Sequence, residues 1–171
     1  MRRFTPWRMA SRSPGVWVKM SRMSESVAGS ARPCLFCRIV AGDVAAEMVF
    51  ADEVAVAFLD HSPVFKGHVL IVPRPHVVTL PDLPGPLIGP YFERVQRIAA
   101  AIPQAIDADG TFVAMNNLVS QSVAHLHTHV IPRRFKDGLR GFFWPRLKYA
   151  DAAERADYAD RVRQSLTPRS A

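Results

Sequence analysis

Three of the chain's six histidines fall in His125-Leu126-His127-Thr128-His129-Val130-Ile131, each one residue from the next. In a β-strand, side chains at i, i+2 and i+4 share a face, about 6.5 to 7 Å apart. The spacing therefore predicts three imidazoles in a row, with Leu126, Thr128 and Val130 turned to the opposite face. A helix would scatter the rings over more than half a turn and would stop at Pro132. Imidazoles so arranged can ligate a metal, pass protons, or attack an electrophile as neutral bases. Thr128 puts a hydroxyl on the packing face, where it needs a hydrogen-bond partner.

A second group with chemical potential is Cys34-Leu35-Phe36-Cys37, which holds both cysteines. A C-x-x-C is either a redox pair or half of a zinc site. Thioredoxin-type pairs precede a long helix in a βαβ setting, and no such setting surrounds this one.

The elements that must position these groups can be read from periodicity. Leu35, Ile39 and Val40 predict one or two helical turns ended by Gly42. Met48 to Ala51 and Val54 to Leu59 form a hairpin, and His68 to Val72 a third strand. These runs are apolar on both faces, so helices or a partner subunit should cover the sheet. Pro81 to Pro90 predicts an irregular connection. Ile88, Tyr91, Val95, Ile98 and Ile102 give a helical stripe from Pro90 to Pro103. Thr111 to Met115 is the fourth strand and Leu126 to Ile131 the fifth. Asp151 opens a last helix, whose stripe of Tyr158, Val162 and Leu166 reads as a packing face.

The net charge of +7 is uneven: six of the 22 basic residues lie in residues 1–24, where there is no acid, leaving 16 basic against 15 acidic residues. The domain itself is nearly neutral, which argues against a nucleic-acid partner. Residues 1–32 show no periodicity and read as a disordered basic extension, whether transit-like or upstream of a working start at Met20 or Met23. Residues 33–146 form the domain and 147–171 a C-terminal helix and tail. No run approaches membrane-spanning length, and a cytoplasmic location is expected.

Ala57-Phe58-Leu59-Asp60-His61-Ser62-Pro63, Gly67-His68-Val69-Leu70-Ile71-Val72-Pro73 and His76, with Asn116, Gln121-Ser122 and the histidine-rich strand, resemble the histidine triad superfamily of nucleotide hydrolases and transferases. The resemblance implies an α+β fold. It has a five-stranded antiparallel sheet, one long helix and short terminal helices, with two subunits pairing into a dimer through one ten-stranded sheet. It also implies cleavage at the α-phosphate of an adenine nucleotide conjugate, a phosphoramidate or a dinucleoside polyphosphate. His127 would be the nucleophile, His129 a donor to a non-bridging phosphate oxygen, and His68 an orienting group. Asn116, Gln121 and Ser122 would meet the phosphate or leaving group, Asp60 the ribose hydroxyls, and Phe58 and Leu59 the purine base. His61 stands where many relatives place an aliphatic residue. The resemblance further implies a closed structural zinc site of Cys34, Cys37, His76 and His125. Arginines in the basic, aromatic segment from Arg133 to Arg146 could hold a polyphosphate, with a solvated basic face as the plain alternative. A different class of function, a zinc-stabilised nucleotide-binding module with little turnover, fits the same residues.

Overall fold

A computed structural model describes residues 34–139 and 147–166. The basic extension expected at 1–32 lies outside them, as do 140–146 of the basic segment and the end of the C-terminal tail. Helix α1 (Leu35–Ala41) is followed by strands β1 (Met48–Ala51), β2 (Ala55–Leu59) and β3 (Val69–Pro73). Then come helix α2 (Gly85–Ile106), strands β4 (Gly110–Ala114) and β5 (Thr128–Arg133), and helix α3 (Ala152–Leu166). The five strands form one antiparallel sheet in the order β1-β2-β3-β5-β4. The histidine-bearing strand is thus interior, between β3 and β4, and not at an edge.

Strand alternation sorts the sheet into two apolar faces. Ala55, Ala57, Val69, Ile71, Leu126 and Val130 face α2, where they meet Tyr91, Val95, Ile98 and Ile102. Val56, Phe58, Leu70 and Val72 face the other way, against Phe36 of α1. Both faces are covered, as their sequence requires.

Helix α2 is longer than its prolines suggest. It begins at Gly85, with Pro86 in its first turn, and runs through Pro90 and Pro103 to Ile106. A proline removes only its own N–H bond to the carbonyl four residues back, at a cost of about 3 kcal/mol. The buried stripe of Tyr91, Val95, Ile98 and Ile102 outweighs that cost. The expected irregular connection is ordered as well. Thr79 and Asp82 cap a single 3-10 turn, with the Thr79 N–H and hydroxyl both donating to Asp82 Oδ2 at 2.9 and 2.6 Å. Leu83 is then buried in the core under α2. In α3 the stripe expected to pack is exposed: Tyr158, Val162 and Leu166 are not covered by the described residues.

Thr128 finds its partner on α2. Its side chain is fully buried, and the Tyr91 hydroxyl lies 2.8 Å from both Thr128 Oγ1 and the Ile71 carbonyl. The Tyr91 O–H donates to the carbonyl and accepts from Thr128, which ties the long helix to β3 and β5 at one point. Tyr91→Phe would orphan a buried hydroxyl and should cost about 1–3 kcal/mol, whereas Thr128→Val should cost about 1 kcal/mol. Urea denaturation of the two variants checks the ranking. Equal costs would show that the hydroxyl pair does not couple these elements.

Candidate functional site

The three triad histidines share one face, as the spacing predicts, although the hydrogen-bonded ladder of β5 begins only at Thr128. The preceding residues are placed by other bonds. Leu126 N–H donates to the Val77 carbonyl at 2.7 Å, and His125 N–H to the Val123 carbonyl at 2.8 Å. His125 and His127 are buried, and Phe36 sets its ring edge-on to both, with centroids 6.1 and 5.2 Å away.

Each imidazole is used differently. His125 donates from Nε2 to the Pro73 carbonyl at 3.0 Å, so its Nδ1 carries a free lone pair. That nitrogen lies 3.5 Å from the sulfurs of both Cys34 and Cys37, and His76 Nδ1 lies 3.2 Å from Cys37 Sγ. The four donors cluster around one point. A tetrahedral ion with Zn–S near 2.3 Å and Zn–N near 2.0 Å spaces its donors about 3.3–3.8 Å apart, so these residues fit such an ion. The carbonyl behind His125 is the kind of outer contact that fixes a metal-binding tautomer. Without a cation, burial and the neighbouring Cys34 push the Cys37 thiol up. A dication reverses that preference.

His127 donates from Nδ1 to the His125 carbonyl at 2.7 Å. The neutral ring therefore presents an unprotonated Nε2. Gln121 Nε2 approaches the same carbonyl at 3.4 Å and donates to the Val78 carbonyl at 2.7 Å, while its Oε1 accepts from Leu118 N–H at 2.9 Å. Asn116 donates to the Ser120 carbonyl at 3.2 Å. Both side chains are engaged in holding their loop, and neither lines the cavity in front of His127. Ser122 does.

His129 makes its hydrogen bond inside the protein, its Nδ1 lying 3.0 Å from His68 Nε2. On the far side of the His68 ring, Nδ1 lies 3.4 Å from Asp60 Oδ2 and 3.4 Å from the Val64 N–H. Asp60 Oδ1 accepts from Ser62 N–H at 2.9 Å. Asp60, His68 and His129 are close enough to hold a cation, but Asp60 and His129 approach opposite nitrogens of the His68 ring. The arrangement is a relay through the His68 ring and not a chelate. Gly67 delivers His68 to this position. Its φ of +92° is left-handed, and a Cβ there would lie 2.6 Å from Ile106 Cδ1.

His127, His129 and Ser122 open into a cavity of about 640 Å3 whose wall includes Leu35, Phe36, Phe58, Leu59, Asp60 and His61. Sequence reasoning named Phe58, Leu59 and Asp60 but missed the part of the wall made by Leu35, Phe36, Ile39 and Val44 to Glu47. These are ordinary side chains, most of them apolar. The only signal was that Leu35 and Phe36 lie between the two cysteines. The described arginines of the basic segment do not face this cavity. Arg133 grips Asp137 through Nε and Nη2, at 2.5 and 2.9 Å, and Arg134 donates to the Ile106 carbonyl at 2.7 Å.

Burial holds His68 below its ordinary range; Asp60 opposes this without outweighing it, and His127 adds to it. Burial, with His127 and His68 beside it, lowers His129 from 6.5 to about 4. Between those values the unfolded chain binds more protons than the folded one. Unfolding free energy should therefore fall as pH drops from 6.5 toward about 4, and be regained above that window. Urea midpoints across it should show the slope, and a His129→Gln variant should flatten it. An unchanged slope in the variant would mean that other groups carry it.

A five-stranded antiparallel sheet carrying aligned imidazoles that open on a cavity defines an α+β protein with a histidine-lined site, and sequence comparison assigns the family. The profile of the HIT domain matches residues 41–136, and the chain belongs to the HIT family. Protein hit of Bacillus subtilis is 40% identical over 116 residues, 67% of this chain and 80% of that protein. Adenosine 5'-monophosphoramidase hnt1 of Schizosaccharomyces pombe is 31% identical over 114 residues, 66% of this chain and 83% of that one. Among solved structures, a HIT family member from Bacillus subtilis superposes with a TM-score of 0.72 at 33% identity, covering 81% of this chain and all of the other. A Zn-bound histidine triad family protein from Mycobacterium smegmatis gives 0.60 at 34% identity, covering 78% and 96%. No helix of the described residues is long and apolar enough to cross a membrane.

Proposed function

We propose that this chain cleaves adenine nucleotide conjugates at the α-phosphate, acting on phosphoramidates or dinucleoside polyphosphates through a covalent nucleotidyl intermediate on His127. The observation that carries this reading is the His127 Nδ1 bond to the His125 carbonyl, which leaves an unprotonated Nε2 beside the cavity. Its lone pair forms the N–P bond as the bond to the leaving group breaks, and the leaving amine or phosphate takes a proton from solvent in the cavity. Water then attacks the same phosphorus and gives a proton back to solvent, the N–P bond breaks, the nucleoside monophosphate leaves and the free imidazole is restored.

His129 donates to a non-bridging oxygen, where a preorganised donor has its largest effect. Ser122 contacts the phosphate or leaving group from the cavity wall. Asp60 takes the ribose hydroxyls, and Phe58 and Leu59 join Phe36 in a slot for the purine. His68 orients His129. Asn116 and Gln121 act through their loop, Gln121 by supporting the carbonyl that fixes His127. Cys34, Cys37, His76 and His125 hold a structural zinc that leaves no open position for water and supplies no step of the reaction. The relative named as a monophosphoramidase supports the phosphoramidate class. The sheet edges β1 and β4 are where a second copy would extend the sheet into the homodimer that the family resemblance implies.

Intact-protein mass spectrometry after a brief, acid-free quench tests the mechanism, using an adenosine phosphoramidate and a diadenosine polyphosphate in turn. An added adenylyl mass that disappears in His127→Ala is expected. Protein that binds nucleotide yet yields neither adduct nor monophosphate from either substrate would instead be a binding module.

A further inference from the structure

The relay behind His129 has two proton arrangements, because His68 Nδ1 faces two incompatible neighbours. The Val64 N–H donates to that nitrogen at 3.4 Å and needs it to accept, whereas the Asp60 carboxylate, an ion-pair neighbour with Oδ2 also at 3.4 Å, favours a proton on it. A neutral imidazole carries one proton and cannot do both. The choice propagates, since the 3.0 Å contact between His68 Nε2 and His129 Nδ1 holds one proton when both rings are neutral.

If His68 Nδ1–H points at Asp60, then His68 Nε2 accepts from His129 Nδ1–H, and His129 shows the cavity a bare Nε2. If the Val64 N–H donates to His68 Nδ1, then His68 Nε2–H donates to His129 Nδ1, and His129 shows the cavity an Nε2–H. Only the second arrangement can donate to a phosphate oxygen. Each ring holds one proton in both arrangements, so their exchange through the cavity's solvent neither gains nor loses a proton.

We propose that the occupant of Asp60 sets this choice, so that ribose hydroxyls on its carboxylate convert His129 from an acceptor into a phosphate donor. Asp60 is the only carboxylate lining the relay among the described residues; its Oδ1 already accepts from the Ser62 N–H and has His61 Nδ1 3.6 Å away. Oδ2, the oxygen that faces His68, is the one a sugar hydroxyl would share with the His68 proton. A donated hydroxyl weakens the pull of Oδ2 on that proton, and the Val64 N–H then takes the lone pair. The sugar half of a nucleotide thus prepares the donor for its phosphate half, with His68 as the positioning residue between them. This rests on the reading of Asp60 and His129 given under Proposed function.

Histidine side-chain 15N NMR on the full zinc-loaded chain separates protonated from bare ring nitrogens and reads the tautomers directly. The free protein should show His68 as Nδ1–H and His129 as Nδ1–H. Adding AMP should move both to Nε2–H, while 2',3'-dideoxy-AMP should bind without moving either. Asp60→Asn removes the carboxylate charge without changing its shape, and should show both rings as Nε2–H with no nucleotide present. The same tautomers in Asp60→Asn as in the free protein, or the same response to AMP and its dideoxy form, would overturn the proposal. The Asp60→Asn arm uses neither nucleotide nor turnover. A failure to form the His127 adduct therefore sinks the catalytic reading without touching this test, and the converse also holds.

Discussion

Replacing His127 with alanine should lower kcat on an adenosine phosphoramidate by at least about a thousand-fold, with AMP affinity held within a few-fold. The asymmetry follows from what the ring does in the folded chain. Its Nδ1 is spent on the His125 carbonyl at 2.7 Å, and the bond to phosphorus can form only at Nε2. That carbonyl keeps a second donor, Gln121 Nε2, when the ring is gone, so the backbone that places His125 is not orphaned. The walls that would hold the base and sugar, Phe36, Phe58, Leu59 and Asp60, belong to other elements and stay in place. His129→Ala should cost less, roughly 10²- to 10³-fold, because it removes a donor to developing charge and not the bond-forming atom. Steady-state kinetics paired with calorimetric AMP titration give both numbers. A His127→Ala variant that keeps its turnover, or one that loses AMP binding in equal measure, would remove His127 from the role of nucleophile.

The second large effect is expected from the Cys34, Cys37, His76 and His125 cluster. Purified chain should carry equimolar zinc. Cys34→Ser should release it and lower stability by about 3–5 kcal/mol, a fall in Tm of roughly 10–15 °C for a domain of this size. Helix α1 has seven residues, no side-chain N-cap and one buried side chain, Phe36. A helix that short has little stability of its own in water. Tethering Cys34 and Cys37 to His76, beyond β3, and to His125, before β5, is what can keep Phe36 against Phe58 and His127. Releasing the tether should also weaken AMP binding, since Leu35, Phe36 and Ile39 form part of the cavity wall. Metal analysis, thermal unfolding and AMP titration on the same samples check all three. A zinc-free protein whose Tm is unmoved by Cys34→Ser would show that the cysteines are packed thiols.

The sheet was legible because its strands are continuous apolar runs bounded by turn residues. Val54 to Leu59 and His68 to Val72 are apolar on both faces, and each face has its own cover, α2 on one side and α1 on the other. The start of the ladder at Thr128 was not legible. His125 to His127 are placed by bonds to Val77 and Val123, the latter closing a tight turn, that no local pattern announces. Prolines misled in the other direction. Pro90 and Pro103 read as the ends of α2, but the buried stripe on either side carries the helix through both. In the site, charged and sulfur-bearing residues stood out by type, while much of the cavity wall is apolar and resembles the rest of the core. The engagement of the amides was not legible either: Gln121 turns its side chain to Leu118, Val78 and His125, a commitment visible only in three dimensions.

The strict sorting of side chains along residues 125–130 also bears on how this segment can vary. His125, His127 and His129 face the Cys34, Cys37 and His76 cluster and the cavity, while Leu126, Thr128 and Val130 face α2, with no residue between them that is free to change sides. Inserting or deleting one residue exchanges the two sets, sending imidazoles into the apolar layer and Leu126 or Val130 toward the cysteine pair and the cavity. Lineages of such a gene can sample substitutions along this segment, one face at a time. In-frame changes of a single codon inside the segment break that sorting, so a tolerated insertion is expected in the loop before His125 or beyond Arg133.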